Sequence, residues 1–365
     1  MSGPHLDRIH RAREGAAARQ LDALVVSPSP DLVYLTGYDP KPLPRPTLLV
    51  LRPDRDPMLL VPELERALAL ASPVSEHLEV VPWRDGSDPY EAAASLLAGA
   101  ARIAVADRLW GIHLLGLQRK LPGAAFSPAS PVMARLRAVK DEQELGALRR
   151  AARAADETFR EVVSLPFQGR KEEDVAHDLA ELLVRNGHAR ADFTIVASGP
   201  NGASPHHEPG GRTILPHDAV VMDFGGELAG YFSDTTRTVV VTEPPEGFEQ
   251  AYAAVQEAQA AAVDVVRPGL EAQEVDRTAR AIVDAAGYGE RFIHRTGHGI
   301  GLELHEPPYM VEGDETVLEQ GMTFSVEPGV YLEGRFGIRI EDIVSVTSDG
   351  VERLNRSTRD LQVVA

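Results

Sequence analysis

The stretch VVMDFGGELAGYFSDTTRTVVV, residues 220–241, decides how this chain is read. Two apolar runs, each marked by one acid, flank a glycine-rich middle. Asp223 closes the first run, VVMD, and Asp234 stands eleven positions later, ahead of TRTVVV. β-Branched residues favour extended backbone, and the three glycines of FGGELAGYFS suit a turn, so the pattern predicts a β-ribbon with the turn in that middle. Acids at facing ends of such a ribbon can converge on one cation. A strand-end Asp is also a common turn former, so the pair alone does not define a site.

Three further segments extend the pattern. HRTGHGIGLELHEPP, residues 294–308, offers His294, His298 and His305, with glycines beside His298 that permit close backbone approach. Neutral imidazole binds zinc and other transition ions; the alternative is a glycine-rich loop with incidental histidines. Glu327 in FSVEPGVY and Glu341 in GIRIEDIV sit in strand-like apolar sequence. A buried carboxylate there is costly unless paired or coordinated, and an edge strand would leave either one solvated. Taken together, Asp, Asp, His, Glu and Glu form a hard-leaning ligand set. It suits two divalent ions bridged by carboxylates, with Mn, Co, Zn or Fe acceptable.

Composition narrows the alternatives. The chain has no cysteine, which excludes disulfides, thiolate metal sites and a Cys nucleophile. Its 365 residues suit two domains, and 43% hydrophobic with 25% charged residues is the balance of a globular protein. A formal net charge of −18 argues against a nucleic-acid binder, which needs a basic face. The opening MSGPHLDRIHRAREG lacks the apolar segment of a secretory signal, and runs such as TLLVL are too short to span a membrane. The expectation is a cytoplasmic protein.

Residues 1–133 alternate helix and strand: a helix over 6–20, strands over 22–27, 46–51 and 58–61, a helix over 89–99 and a strand over 102–106. This predicts a small α/β domain. Residues 135–163 read as one long helical stretch near the start of a second, α+β domain over 134–365. In it, helices are expected over 172–187, 246–266 and 272–287, and strands over 192–198, 220–224 and 237–241.

The strings DFGGELAGYFSDTTRT, HRTGHGIGLELHEPP, EPGVY and RIED resemble the pita-bread metallopeptidases, in the branch that holds aminopeptidase P and prolidase. The first domain resembles that branch's creatinase-type N-terminal domain, so the resemblance covers nearly the whole chain. It implies an α+β pita-bread catalytic domain preceded by a smaller α/β domain. It implies two metal ions per subunit: Asp223 binding one through both oxygens, Asp234 and Glu341 bridging the pair, and His298 and Glu327 completing the second site. His206 in SGPNGASPHHEP matches the family histidine that lines the substrate site, with His207 as the alternative. His305 matches the histidine that hydrogen-bonds the reacting peptide, and Arg339 the arginine two residues before the last ligand.

The implied reaction is hydrolysis of the bond before proline by a hydroxide shared between the metals, with Glu327 moving the proton. A strict dipeptidase also needs a cation for the substrate's free carboxylate. In many prolidases an arginine follows the H-E-x-P string; here Tyr309 stands at that position. The loop GYDPKPLPRP offers Asp39 for the substrate ammonium and Arg45 for its carboxylate, on backbone stiffened by four prolines; a rigid exposed loop is the bland reading. The reading adopted is an Xaa-Pro dipeptidase with Arg45 as clamp. Its rivals are an Xaa-Pro aminopeptidase acting on longer peptides, a non-catalytic peptide-binding relative, a creatinase-like amidine hydrolase and a methionine aminopeptidase. Proline-containing di- or oligopeptides are the expected partners, with no nucleic acid and no membrane, and the resemblance implies a homodimer.

Overall fold

The computed structural model describes residues 3–365, which divide into two compact units, one ending at Arg137 and one starting at Ala138. The first is built on six strands: β1 (Ala23–Val26), β2 (Leu48–Leu51), β3 (Met58–Pro62), β4 (Glu79–Trp83), β5 (Arg102–Val105) and β6 (Ala125–Pro128). Their order is β4-β3-β2-β1-β5-β6, antiparallel at β1–β2 and β2–β3 and parallel elsewhere. Strands β1 to β3 are buried along their whole length, as unbroken apolar runs require. Around them lie α1 (Pro4–Ala18), α2 (Pro30–Thr36), α3 (Arg66–Leu70), α4 (Pro89–Leu96) and α5 (Gly111–Lys120). Edge strands β4 and β6 are largely solvent-facing and carry no buried run, so the sequence gives them little signal.

One helix expected over 135–163 is two: α6 (Ser130–Ala138) and α7 (Glu142–Val162). Asp141 makes the break. Its carboxylate accepts from the Gln143 and Glu144 amides while Glu144 accepts from the Asp141 amide, a reciprocal cap that starts a new helix. Val139 bridges to Met322 in extended form. The helical period continues through 135–163, but the cap wins.

Beyond α7 come α8 (Glu172–Arg185), β7 (Arg190–Ser198), β8 (Ala219–Leu228), β9 (Tyr231–Val241), α9 (Phe248–Asp264) and α10 (Ala272–Ala285). Short strands follow: β10 (Gly297–Gly299), β11 (Glu306–Met310), β12 (Thr323–Val326), β13 (Gly329–Leu332), β14 (Phe336–Arg339), β15 (Asp342–Val346), β16 (Val351–Arg353) and β17 (Gln362–Val364). They make a sheet β17-β9-β8-β7, a sheet β11-β10-β12-β15-β16 and a ribbon β13-β14.

The β8–β9 hairpin is longer than the sequence suggested. Its turn is only Ala229–Gly230, with φ of 54° and 84°, the left-handed pair that matches strand twist. Gly225 and Gly226 belong to the strand instead. A Cβ at either would collide with a backbone carbonyl, of Ser233 or Arg190 respectively. Successive residues of a strand face opposite sides. Val220, Met222, Phe224, Val239 and Val241 therefore point to a core shared with Phe159, Val175, Leu179 and Leu183 of α7 and α8. A second core joins Phe248, Val255, Val275 and Val283 of α9 and α10 to Phe324, Ile338 and Val344. Each fully buried chain of this kind contributes about 1.5–3 kcal/mol. No helix among the described residues is long and apolar enough to cross a membrane.

Candidate metal centre

In the hairpin register Asp223 lies opposite Thr236, and Asp234 opposite Gly225. Thr236 and Asp234 are two residues apart, so both acids project from the face turned away from α7 and α8. Both acids lie inside strands rather than at ribbon ends. The other carboxylates also differ from the sequence picture, because neither stands within a strand. Glu327 follows β12, where Pro328 ends the extended run, and its amide donates to the Thr296 carbonyl at 2.8 Å. Glu341 occupies the step between β14 and β15, its amide donating to the Thr236 carbonyl at 3.0 Å. That bond ties the Glu341 step to the hairpin.

Asp234, His298 and Glu341, all buried, bring one ligand atom each to within 4.8 Å of the others. His298 Nε2 lies 3.5 Å from Asp234 Oδ2 and 3.3 Å from Glu327 Oε1. Its Nδ1 approaches the Gly299 carbonyl at 3.1 Å, leaving Nε2 to point into the cluster. Asp223 is held beside them by Arg339, whose Nη2 donates to Oδ2 at 2.5 Å.

Four carboxylates thus crowd round one guanidinium. Asp234 and Glu341 have pKa values raised well above the ordinary range, first by burial and then by neighbouring carboxylates: Asp223 and Glu327 for Asp234, and Asp234, Glu327 and Asp223 for Glu341. Burial alone would raise Glu327 as well, but His298, His294 and Arg339 bring it below its ordinary value. Two oxygens, Asp223 Oδ1 and Glu341 Oε1, are buried without a hydrogen-bond partner among the described residues. Buried anions with idle lone pairs are unfavourable unless cations complete them. The donor set of carboxylate oxygens and one imidazole nitrogen fits divalent ions of the Mn–Zn series.

A supporting shell surrounds these groups. Arg339 Nε donates to Thr236 Oγ1 at 3.0 Å and Nη1 to the Tyr331 hydroxyl at 2.8 Å; Thr236 Oγ1 in turn donates to Glu341 Oε2 at 2.7 Å. Ser325 donates to Glu327 at 3.0 Å. Arg237, 1% exposed, donates to the Glu341 carbonyl at 2.5 Å and to Asp342 at 2.6 Å. Lys140 and Glu306, both buried, pair at 2.7 Å beside His305. Arg237 stands inside the quoted hairpin and Thr236 beside it, yet neither was singled out; Tyr331, Ser325 and Lys140 gave no signal of their own.

The three histidines of the 294–308 run separate. His294 is satisfied structurally, between the Arg295 carbonyl at 2.7 Å and the Tyr331 hydroxyl at 2.8 Å, and is not among the clustered ligand atoms. His305 keeps part of its surface in water although its ring packs edge-on to His298, with centroids 4.1 Å apart. Loss of solvent, then the neighbouring His298 and Arg295, push its pKa down to about 4.

His206 is exposed. His207 instead donates to buried Glu172 at 2.9 Å, which also accepts from the Ser198 amide and hydroxyl at 2.7 Å and from Asn201. Glu172, the first residue of α8, anchors this loop, a role the sequence reading missed. Tyr309 lies on β11 across from His298. In the first unit, Arg45 grips Asp85 through Nε at 2.9 Å and Nη2 at 2.6 Å, and Asp39 is exposed.

Buried acids and one imidazole converging from a hairpin and a second sheet define a metal-dependent hydrolase centre. Residues 146–348 match the family model described as metallopeptidase family M24, and residues 8–139 that of the creatinase/prolidase N-terminal domain. The chain belongs to metallopeptidase family M24, with the pita-bread catalytic fold behind a creatinase-type domain, and this membership implies divalent metal ions at the centre. It is 44% identical to the probable dipeptidase PepE of Mycobacterium tuberculosis (strain ATCC 25618 / H37Rv), over 98% of this chain and 96% of that one. With the Xaa-Pro dipeptidase of Lactobacillus delbrueckii subsp. lactis it shares 36%, over 94% and 95%. The crystal structure of dipeptidase PepE from Mycobacterium ulcerans superposes with a TM-score of 0.95 at 43% identity, covering 99% of this chain and 98% of that one.

Proposed function

We propose that this chain is an Xaa-Pro dipeptidase that hydrolyses the bond before proline using two divalent ions. The observation that carries the reading is the cluster of four carboxylates and His298, with Asp234, Glu341 and His298 buried and unpartnered oxygens on Asp223 and Glu341. Its relatives' names, dipeptidase and Xaa-Pro dipeptidase, support the substrate class. Asp223, Asp234, His298, Glu327 and Glu341 are the proposed ligands, for Mn, Co, Zn or Fe. When bound, the ions supply Lewis acidity and make the attacking water acidic near neutral pH.

The remaining chemistry falls to the chain's own side chains. Glu327, ionised and steadied by Ser325, is the proposed acceptor of the water's proton and its donor to the proline nitrogen. His305, neutral at working pH, donates a hydrogen bond to the developing oxyanion, a contribution of about 3 kcal/mol for a single donor. Arg339 fixes Asp223, and His206 lines the substrate site. Asp39 and Tyr309 are proposed substrate contacts, and Arg45 is the N-terminal candidate for the substrate carboxylate. A homodimer in the cytoplasm is the proposed setting, on the family resemblance alone.

The test is hydrolysis of Ala-Pro, Ala-Pro-Ala and Met-Ala-Ala after Mn²⁺ reconstitution. Selective cleavage of Ala-Pro is expected. Preference for the tripeptide would replace the reading with an aminopeptidase, and inertness toward all three would remove it.

A further inference from the structure

Tyr309 occupies the position where an arginine would meet the substrate carboxylate, and the structure shows what stands over it. Tyr309 pairs directly across the β10–β11 ladder from His298, and opposed residues of an antiparallel pair share a face. Its ring therefore lies on the same side as the imidazole of a proposed ligand. The Arg295 guanidinium carbon sits 4.5 Å above the centre of that ring. Stacking of this kind fixes the plane of a guanidinium while leaving its N–H edge open.

We propose that Arg295 binds the free C-terminal carboxylate of the dipeptide, supplying from the catalytic unit the cation that Tyr309 does not. The inference rests on the dipeptidase reading above and adds its specificity determinant. Three observations support it. First, Arg295 is half-buried, yet its side chain makes no hydrogen bond and no ion pair among the described residues. The more deeply buried Arg237 and Arg339 are engaged through all their nitrogens. A guanidinium held in place with five idle donors is prepared for a planar anion.

Second, Arg295 stacks on Tyr309, the residue paired with the proposed ligand His298, so the guanidinium lies beside the centre. A dipeptide's carboxylate is carried on the ring carbon next to the scissile nitrogen. A clamp must then lie close to the centre where the carbonyl reacts, and stacking on the residue opposite His298 keeps Arg295 there. Third, four carboxylates surround the neighbouring centre, so a substrate anion arriving there needs a local cation. The loop candidate Arg45 already has two of its nitrogens on Asp85.

The test compares Ala-Pro with Ala-Pro-NH2, which breaks the same bond but lacks the carboxylate, for the wild type, Arg295→Met, Arg295→Lys and Arg45→Ala. Taking the kcat/KM ratio within each protein cancels any loss of folded fraction. The wild type is expected to prefer the acid, and Arg295→Met to shrink that preference roughly 30-fold, the weight of a charge-assisted pair. Arg295→Lys should retain part of it. Calorimetric binding of proline and prolinamide to the Mn²⁺-loaded protein gives a readout independent of turnover, and the same loss of discrimination is expected.

A preserved ratio in Arg295→Met overturns the proposal, as does its collapse in Arg45→Ala alone. A wild type that cleaves both substrates equally overturns it too, while leaving the peptidase reading standing. A wild type inert toward Ala-Pro instead defeats the dipeptidase reading itself.

Discussion

Replacing Glu341 by Gln should stabilise the metal-free protein and abolish its response to metal. Ligand atoms of Glu341 and Asp234 lie within 4.8 Å of each other, in a site where Glu341 is 1% exposed. With both ionised, two like charges at that separation would repel by about 3 kcal/mol at the effective dielectric of 20 that suits protein sites, the upper limit of what the neutral amide removes. The amide has the same shape, and its carbonyl oxygen can still accept the Thr236 hydroxyl that donates to Glu341 at 2.7 Å. Its NH2 group gains an acceptor in Asp234.

In a folding unit of 150–250 residues, about 3 kcal/mol corresponds to a rise in Tm of roughly 6–12 °C. With Mn²⁺ the order should reverse. A ligand at a thousand times its Kd stabilises the protein it binds by about 4.1 kcal/mol, more than the variant's initial advantage, and the variant, one carboxylate short, forfeits that gain. Thermal unfolding in chelator and across a Mn²⁺ titration measures both halves. A chelated variant less stable than the wild type, or one with the wild-type Mn²⁺ response, would refute the idea that Glu341 and Asp234 share an ion.

Arg237→Met should cost about 3 kcal/mol, because removing one partner of a buried pair leaves an uncompensated charge; Arg359 and Gln259, each 3.1 Å from Asp342, soften the loss. Urea unfolding of the chelated protein measures it, and a change near zero would count against the pair. Tyr331→Phe should weaken Mn²⁺ binding about tenfold, the usual weight of a group that orients a ligand, since Arg339 and His294 both lose a partner; competition with a fluorescent chelator reads it out. Glu172→Gln should destabilise at neutral pH and not in acid. Burial would raise the Glu172 carboxyl, but hydrogen bonds from Ser198, His207 and Asn201 outweigh it and hold the pKa below the ordinary 4.5. Its stabilisation is therefore present above pH 4.5 and fades as the pH falls through the lower folded value. Equal stability differences at pH 7 and pH 3 would contradict this.

The metal cluster was legible because each member stands in a distinctive local string, and buried charge in apolar sequence is rare enough to notice. The geometry that joins them was not. Asp234 and Glu341 are over a hundred positions apart, and their nearness depends on a backbone bond from the Glu341 amide to Thr236. The hairpin was seen, but its turn was placed too wide because Gly225 and Gly226 read as loop residues; they serve crowding against neighbouring carbonyls. The α6–α7 break was missed although its signal, Asp141 followed by Glu144, was present in the sequence. Edge strand β4 and the groups that orient the ligands leave no periodic trace, since a tyrosine or lysine looks the same whether it braces a carboxylate or meets water.

The two-residue pleat of β8 gives this hairpin a means of checking its own assembly. Slipped by one position, Asp223 would enter the layer filled by Met222 and Phe224, and those side chains would occupy the place of the acids. The mis-zipped ribbon would bury a bare anion in hydrocarbon, at a penalty of several kcal/mol. The same carboxylate that suits the chain for chemistry thus rejects the wrong alignment while the sheet is still forming, before any ion arrives.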